Sequence, residues 1–177
     1  MRGLVIGRFQ PFHLGHRYLV EEIATDVKEV VVGIGSAGRS HSAKNPFTSG
    51  ERVNIVQNVL DELDAKTYLI PIEDIEENAL WVRQVEIRCP AFDVAYTNNH
   101  LVERLFGEAG YEVRRTPLHN REEYHGEEIR RRMIDGEEWA HLVPDPVVEA
   151  VEEIGGVERL RKIERDDEPD GEGGEDG

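Results

Sequence analysis

His13 and His16 stand three residues apart around Gly15 in the stretch LVIGRFQPFHLGH, residues 4–16. The spacing puts one imidazole at the end of a loop and the other in the first turn of the helix that follows. Both can therefore face one small volume. The start of that helix contributes unpaired backbone N–H groups and a partial positive charge. Gly15 carries no side chain and lets a ligand come close to the backbone, and Arg8 supplies a cation where the apolar run ends at Gly7. Together these groups suit a polyphosphate. The competing readings are a histidine pair with no role and half of a zinc site. Zinc needs a third and a fourth ligand; Cys89 is the only thiol, so His41 or His119 would have to be brought in from elsewhere.

Three further stretches carry chemistry. The polar loop SAGRSHSAKNP, residues 36–46, is too long for a plain connection, and loops of that length in a compact domain are often functional. It holds Ser36, Arg39, His41 and Lys44. Downstream, Asn78 and Trp81 are three apart at the start of a helix and share a face. An indole stacked on a pyridinium ring, beside groups that bond a carboxamide, would make a nicotinamide pocket; a core tryptophan is the competing reading. The stretch YHGEEIRRRM, residues 124–133, reads as a helix start followed by Arg130. Its competing reading is a solvated basic helix face.

The elements that must position these groups alternate regularly. The run into Gly7 reads as a buried strand, and Leu19, Val20 and Ile23 then form a helical stripe among Glu21, Glu22 and Asp26. In EVVVGIG, residues 29–35, Val30, Val31 and Val32 are continuous, as in a strand buried on both faces. Strand, helix and strand within about 35 residues make a βαβ unit, hence a right-handed crossover and a parallel sheet. Thr48 and Glu51 predict a capping box, with Val53, Val56, Leu60 and Leu63 on the buried face of its helix. Further strands are expected at 66–72, in FDVAY before Asn98 and Asn99, and at 111–115, the last after a short helix over 101–106. Pro144 and Pro146 open a helix with Val147, Val148, Val151 and Ile154 inward, and Gly155 and Gly156 break it before a last helix over 157–163.

The expected fold class is α/β: a Rossmann-like, doubly wound parallel sheet of order 3-2-1-4-5 with C-terminal helices. Ligands would sit at the carboxyl ends of strands one and four, where the order reverses. Residues 1–163 are expected to form one domain, and residues 164–177 an acidic, disordered tail.

Bulk properties narrow the function classes. A formal net charge of −16 argues against general nucleic-acid affinity. No apolar run approaches the roughly 20 residues of a membrane span, and the N-terminus is strand-like rather than a signal peptide. One cysteine excludes an intramolecular disulfide framework, so a cytoplasmic setting is expected. Seven acidic residues and no basic ones lie in residues 166–177, and lysine occurs only at positions 28, 44, 66 and 162. An acidic, lysine-poor surface is the composition expected of a halophilic protein kept soluble in concentrated salt; an ordinary acidic protein with an acidic tail is the competing reading.

The string GRFQPFHLGH, preceded by an apolar strand, resembles the HxGH-type nucleotidylyltransferases, a superfamily with a Rossmann-like fold. Within it the string is most similar to the archaeal nicotinamide mononucleotide (NMN) adenylyltransferases. GIGSA, the later NPFT-x-GER and the segment D-I-x-x-N-x-x-W over residues 74–81 resemble the same family, as does HLVPDPVVEAVEEIGGVERL near the C-terminus. Arginine is common in the family where this chain has Lys44, and a hydroxyl stands where it has Glu127.

The resemblance implies the reaction ATP + NMN → NAD⁺ + pyrophosphate, by direct in-line attack of the NMN phosphate. It implies contacts from His13 and His16 to the ATP phosphates, and a triphosphate held by Arg8 and Arg130. Mg²⁺ bound through the phosphates would neutralise the leaving group, with no metal ligands from the protein. Gly7, Phe9, Gln10, Gly15, Ser36, Lys44, Asp74, Ile75, Asn78, Trp81, Asn98 and Asn99 would contact the nucleotides, with Ile75, Asn78 and Trp81 orienting the nicotinamide. A homo-oligomer, hexameric by resemblance, is expected. Two alternatives remain: another HxGH-type transferase, which has no reason to keep Asn78 and Trp81, and a non-catalytic nucleotide sensor.

Overall fold

Leu4 and Val5 are neighbours in strand β1 (Arg2–Gly7), both are buried, and they belong to different cores. Successive strand residues point to opposite faces, so Val5 joins Val30, Val32 and Ile34 of β2 (Glu29–Ile34) while Leu4 joins Val31 on the other side. The continuous valine run is buried on both faces, as expected of a central parallel strand. The computed structural model describes residues 1–117 and 122–167.

The remaining strands are β3 (Lys66–Pro71), β4 (Val94–Tyr96) and β5 (Glu112–Arg114). The five form one sheet of order β3-β2-β1-β4-β5 with every adjacent pair parallel, the topology read from the sequence. On the Val5 side pack α1 (Leu14–Asp26), α2 (Ser49–Leu60), α5 (Gly126–Asp135), α6 (Asp145–Glu153) and α7 (Gly156–Asp167). On the Leu4 side pack α3 (Asn78–Arg88) and α4 (His100–Glu108), through Val82, Val85 and Phe106. The chain leaves β1 towards β2 on one side and later returns to β4 on the other. The connections part at the carboxyl end of β1, which opens a crevice there.

Helix α2 begins with the expected capping box: Thr48 Oγ1 accepts from the Glu51 N–H at 3.2 Å, and Glu51 Oε2 accepts from the Thr48 N–H at 2.9 Å. Val56 and Leu60 point inward as expected and Ile55 and Val59 join them, whereas Val53 is only partly buried and Leu63 lies beyond the helix end. The face is phased on Arg52, which is 0 % exposed. Counted at helical spacing from Arg52, the inward positions are those four residues, but a charged residue is not scored as core when hydrophobic periodicity is read. Helix α7 runs to Asp167, four residues beyond its expected end. Residues 168–177 of the expected tail and His119 lie outside the described residues.

Candidate active site

The loop between β1 and α1 turns the chain back beneath its own histidines. Phe9 adopts a left-handed backbone conformation (φ 51°) and is buried, its ring meeting the edge of His16 at 4.8 Å between centroids. His13 is the N-cap of α1, and here the capping box is built from two imidazoles. The His16 N–H donates to Nδ1 of His13 at 3.3 Å, and the His13 N–H donates to Nδ1 of His16 at 3.2 Å. With both Nδ1 atoms accepting, each neutral ring holds its proton on Nε2. Burial first, then the neighbouring His125, pushes His13 down to about 3. Burial, then the neighbouring His13, holds His16 well below the ordinary imidazole range. The pair thus offers two fixed, uncharged N–H donors at neutral pH.

Gly15 serves these histidines in a way its sequence position did not suggest. A Cβ there would lie 3.1 Å from His13 Nδ1 and 3.1 Å from the Tyr124 Cβ. The space left by the missing side chain is therefore taken by the capping ring and Tyr124.

Arg52 ties the neighbouring loops together. Its Nη1 donates to the carbonyls of Arg8 and Gly35, each at 2.8 Å, and its Nη2 to the carbonyl of Ser36 at 2.9 Å. This buried cation is held by carbonyl oxygens, and burial and the charge of Arg8 lower its pKa while Asp74 raises it. A second clamp comes from Gln10, whose side-chain amide donates to Phe47 O and accepts from Phe47 N–H, both at 3.0 Å. The loop bearing Lys44 is thereby fixed to the loop bearing the histidines. From the outside, Arg159 of α7 reaches both oxygens of Glu51 at 2.7 Å and the Pro46 carbonyl at 3.3 Å. On the far wall, Arg130 donates to Gln10 O at 2.8 Å. Gly126 permits this crossing, since a Cβ there would lie 2.8 Å from Nη1 of Arg130.

These loops enclose an open cleft of about 750 Å³, lined by Arg8, Phe9, Gln10, His13, His16, Lys44 and Arg130 among the expected residues. A second cavity of about 210 Å³ lies between the carboxyl ends of β1 and β4, lined by Gly7, Arg8, Trp81, Thr97 and Asn99 among others. Arg8 borders both. The Trp81 indole meets Phe106 edge-on at 5.6 Å between centroids. Asn99 caps α4 through its Oδ1.

Six expected residues line neither cavity: Gly15, Ser36, Asp74, Ile75, Asn78 and Asn98. Ser36 Oγ donates to Asp74 at 3.1 Å, and Asp74 also accepts from Arg39 at 3.0 Å. Asn98 donates to the Thr116 carbonyl at 3.1 Å, and Asn78 is exposed at the start of α3. Conversely, His125 lines the large cleft although sequence reading did not single it out. Its signal was a histidine at a predicted helix start, the same relation that His13 bears to α1. Among the described residues no group of three or more His, Cys, Asp or Glu could hold a metal ion. Nor is any helix among them long and apolar enough to cross a membrane.

Comparison with known proteins adds a family context. A cytidylyltransferase-like family model matches residues 4–132. The nicotinamide-nucleotide adenylyltransferase of Halobacterium salinarum is 58% identical over 162 residues, covering 92% of each chain. That of Archaeoglobus fulgidus is 52% identical over 169 residues, covering 92% of this chain and 97% of its own. Among solved structures, a bifunctional NMN adenylyltransferase/ADP ribose pyrophosphatase from Francisella tularensis, complexed with AMP and a manganese ion, superposes with a TM-score of 0.77 at 19% identity. The match covers 93% of this chain but only 52% of that one, so the chain spans about half of the two-activity protein. At that identity the likeness concerns the fold.

Proposed function

Because this chain belongs to the nicotinamide-nucleotide adenylyltransferases, we propose that it transfers the adenylyl group of ATP to NMN, giving NAD⁺ and pyrophosphate. The observation that carries this reading is the position of Arg8, which borders both the phosphate-suited cleft and the cavity holding Trp81. A triphosphate in the first and a nicotinamide ring in the second would bring their phosphates together at that guanidinium.

An NMN phosphate oxygen attacks the α-phosphorus of ATP in line. The bond from that phosphorus to the β-phosphate bridging oxygen breaks, and its electron pair leaves on pyrophosphate. The nucleophile is an anion at neutral pH, so no base is required, and catalysis is positioning plus stabilisation of developing charge. Nε2–H of His13 and of His16 donate to phosphate oxygens, and Arg8, Lys44 and Arg130 supply positive charge. Trp81 stacks on the nicotinamide in the cavity that Thr97 and Asn99 also line.

The carboxylates Glu127, Asp135 and Glu164 line the cleft. A divalent cation, Mg²⁺ in this reading, would arrive bound to the nucleotide phosphates. Such a cation screens the charge of the leaving pyrophosphate. Leu80 and Ile87, seven residues apart on α3, and Leu101 on α4 are exposed apolar side chains, and a homo-oligomer that covers them belongs to this reading.

Incubation with ATP, Mg²⁺ and a panel of acceptors tests the assignment. NMN should give stoichiometric NAD⁺ and pyrophosphate. Preferred transfer to pantetheine phosphate or FMN, or use of CTP in place of ATP, would replace it with another reaction of the superfamily. Nucleotide binding without transfer to any acceptor would make the protein a sensor.

A further inference from the structure

A third imidazole is built into the cleft by the device that fixes the first two. His125 is the N-cap of α5, and its Nδ1 accepts the Glu128 N–H at 3.3 Å. That bond leaves Nε2 as the ring's donor, on a residue that lines the cleft together with His13, His16 and Arg130. The α5 turn that carries it is anchored to the loop after β1 by the Arg130 bond to Gln10 O. His125 and His13 thus stand in one cleft, each at the start of its own helix.

Capping alone does not call for histidine. Serine, aspartate, asparagine and threonine are the preferred caps, and they are short, whereas an imidazole adds a second polar atom on the far side of the ring. The next side chain in the turn that lines the cleft, Glu127, is a carboxylate and can only accept hydrogen bonds from a partner. A phosphate lying against the start of α5 therefore needs its side-chain donor from elsewhere in that turn.

On the reading that this cleft takes the nucleotide triphosphate, we propose that His125 is a third phosphate-binding imidazole, donating from Nε2–H to an oxygen of the pyrophosphate moiety that leaves. The class of ligand it recognises is an inorganic or nucleoside polyphosphate.

Two substitutions separate this role from capping. His125→Ser keeps an acceptor for the Glu128 N–H but removes the Nε2 donor. His125→Gln keeps an N–H donor at similar reach but caps poorly. Calorimetric titration with ATP and with inorganic pyrophosphate, the KM values for ATP and NMN, and thermal unfolding are measured for both variants and the wild type. His125→Ser should melt with the wild type yet bind ATP and pyrophosphate about tenfold more weakly, the loss typical of a hydrogen bond to a charged group, with the KM for NMN unchanged. His125→Gln should melt lower and retain both affinities. His125→Ser with wild-type affinity for both ligands would reduce His125 to a cap and overturn the proposal. So would an equal weakening of ATP and NMN that tracks a fall in melting temperature. A wild-type protein that binds neither ATP nor pyrophosphate would instead overturn the reading of the whole cleft, and this inference with it.

Discussion

The imidazoles of His13 and His16 stack with ring centroids 3.5 Å apart and planes 19° from parallel, while each accepts the other's backbone N–H. Two cations could not share that geometry, and a protonated Nδ1 could not accept. Stacking and capping therefore hold both rings neutral, so on the proposed reading the site would meet phosphates with oriented dipoles and leave formal charge to Arg8, Lys44 and Arg130.

His16→Ala removes one of these donors and half of a capping box. Turnover should fall by about 10²-fold or more, as when one preorganised transition-state donor is lost, while stability drops by about 1 kcal/mol, a typical value for a lost cap. Steady-state kinetics beside thermal melts separate the two effects. Turnover within a few-fold of wild type would remove His16 from the chemistry.

The neutral pair also makes stability depend on pH. His13 is lowered to about 3 from an ordinary value of 6.5, and His16 is lowered too. The unfolded chain takes up these protons as pH falls below the ordinary value, whereas the folded chain resists. The stabilisation is thus complete above pH 6.5 and is lost as pH drops, down to about 3 for His13, each ring contributing up to about 1.4 kcal/mol per pH unit. Glu29, Glu51 and Glu128, held at about 2 against an ordinary 4.5 by their arginine and lysine partners, add a loss at lower pH. His13→Asn keeps a capping acceptor and titrates nothing, so its melting temperature should fall less steeply between pH 6.5 and 4.5. Parallel curves for variant and wild type would contradict a neutral buried His13.

Trp81→Leu preserves apolar volume against Phe106 but removes the aromatic face. The KM for NMN should rise about tenfold, within the range of a desolvated ring–cation contact, with the KM for ATP unchanged. Fluorescence of the wild type should quench on adding NMN. A folded Trp81→Leu protein with normal affinity for NMN would make this residue part of the core and nothing more.

Glu127 borders the cleft and is exposed, and its charge acts on Arg130. A flexible carboxylate at a helix start can swing to solvent and favours the helix dipole. Glu127→Thr should leave kcat within a few-fold and modestly lower the KM for ATP by removing repulsion of the anion. A large loss of activity with a steeper Mg²⁺ requirement would show instead that this carboxylate helps to hold the cation.

The parts of this protein legible in its sequence are those governed by local pattern. The valines of β2, the Thr48–Glu51 box and the alternation of strand and helix led to the observed strand order. His13, His16, Arg8, Lys44 and Arg130 met in one cleft because they flank strand ends and helix starts, which the fold gathers at one edge of the sheet. What stayed hidden depends on contacts across the chain. Gln10 looked like a ligand-binding polar residue, yet its amide is spent on Phe47, a partner 37 positions away. Arg52 interrupted an apolar pattern and was the residue on which that pattern is phased. His125 was overlooked because a capping histidine has no periodicity to betray it.

The bond between Arg159 and Glu51 has a consequence for how the protein is made. The five strands and α1 to α4 all precede residue 115, whereas α5, α6 and α7, which share the Val5 side with α1 and α2, are made after them. Until α7 emerges, however, Glu51 lacks its guanidinium and the Pro46 carbonyl lacks its donor, and the loop bearing Lys44 is held on one side only. A chain made only as far as α6 would therefore have its sheet but not the outer brace of this loop, and on the proposed reading would hold Lys44 less firmly for a phosphate.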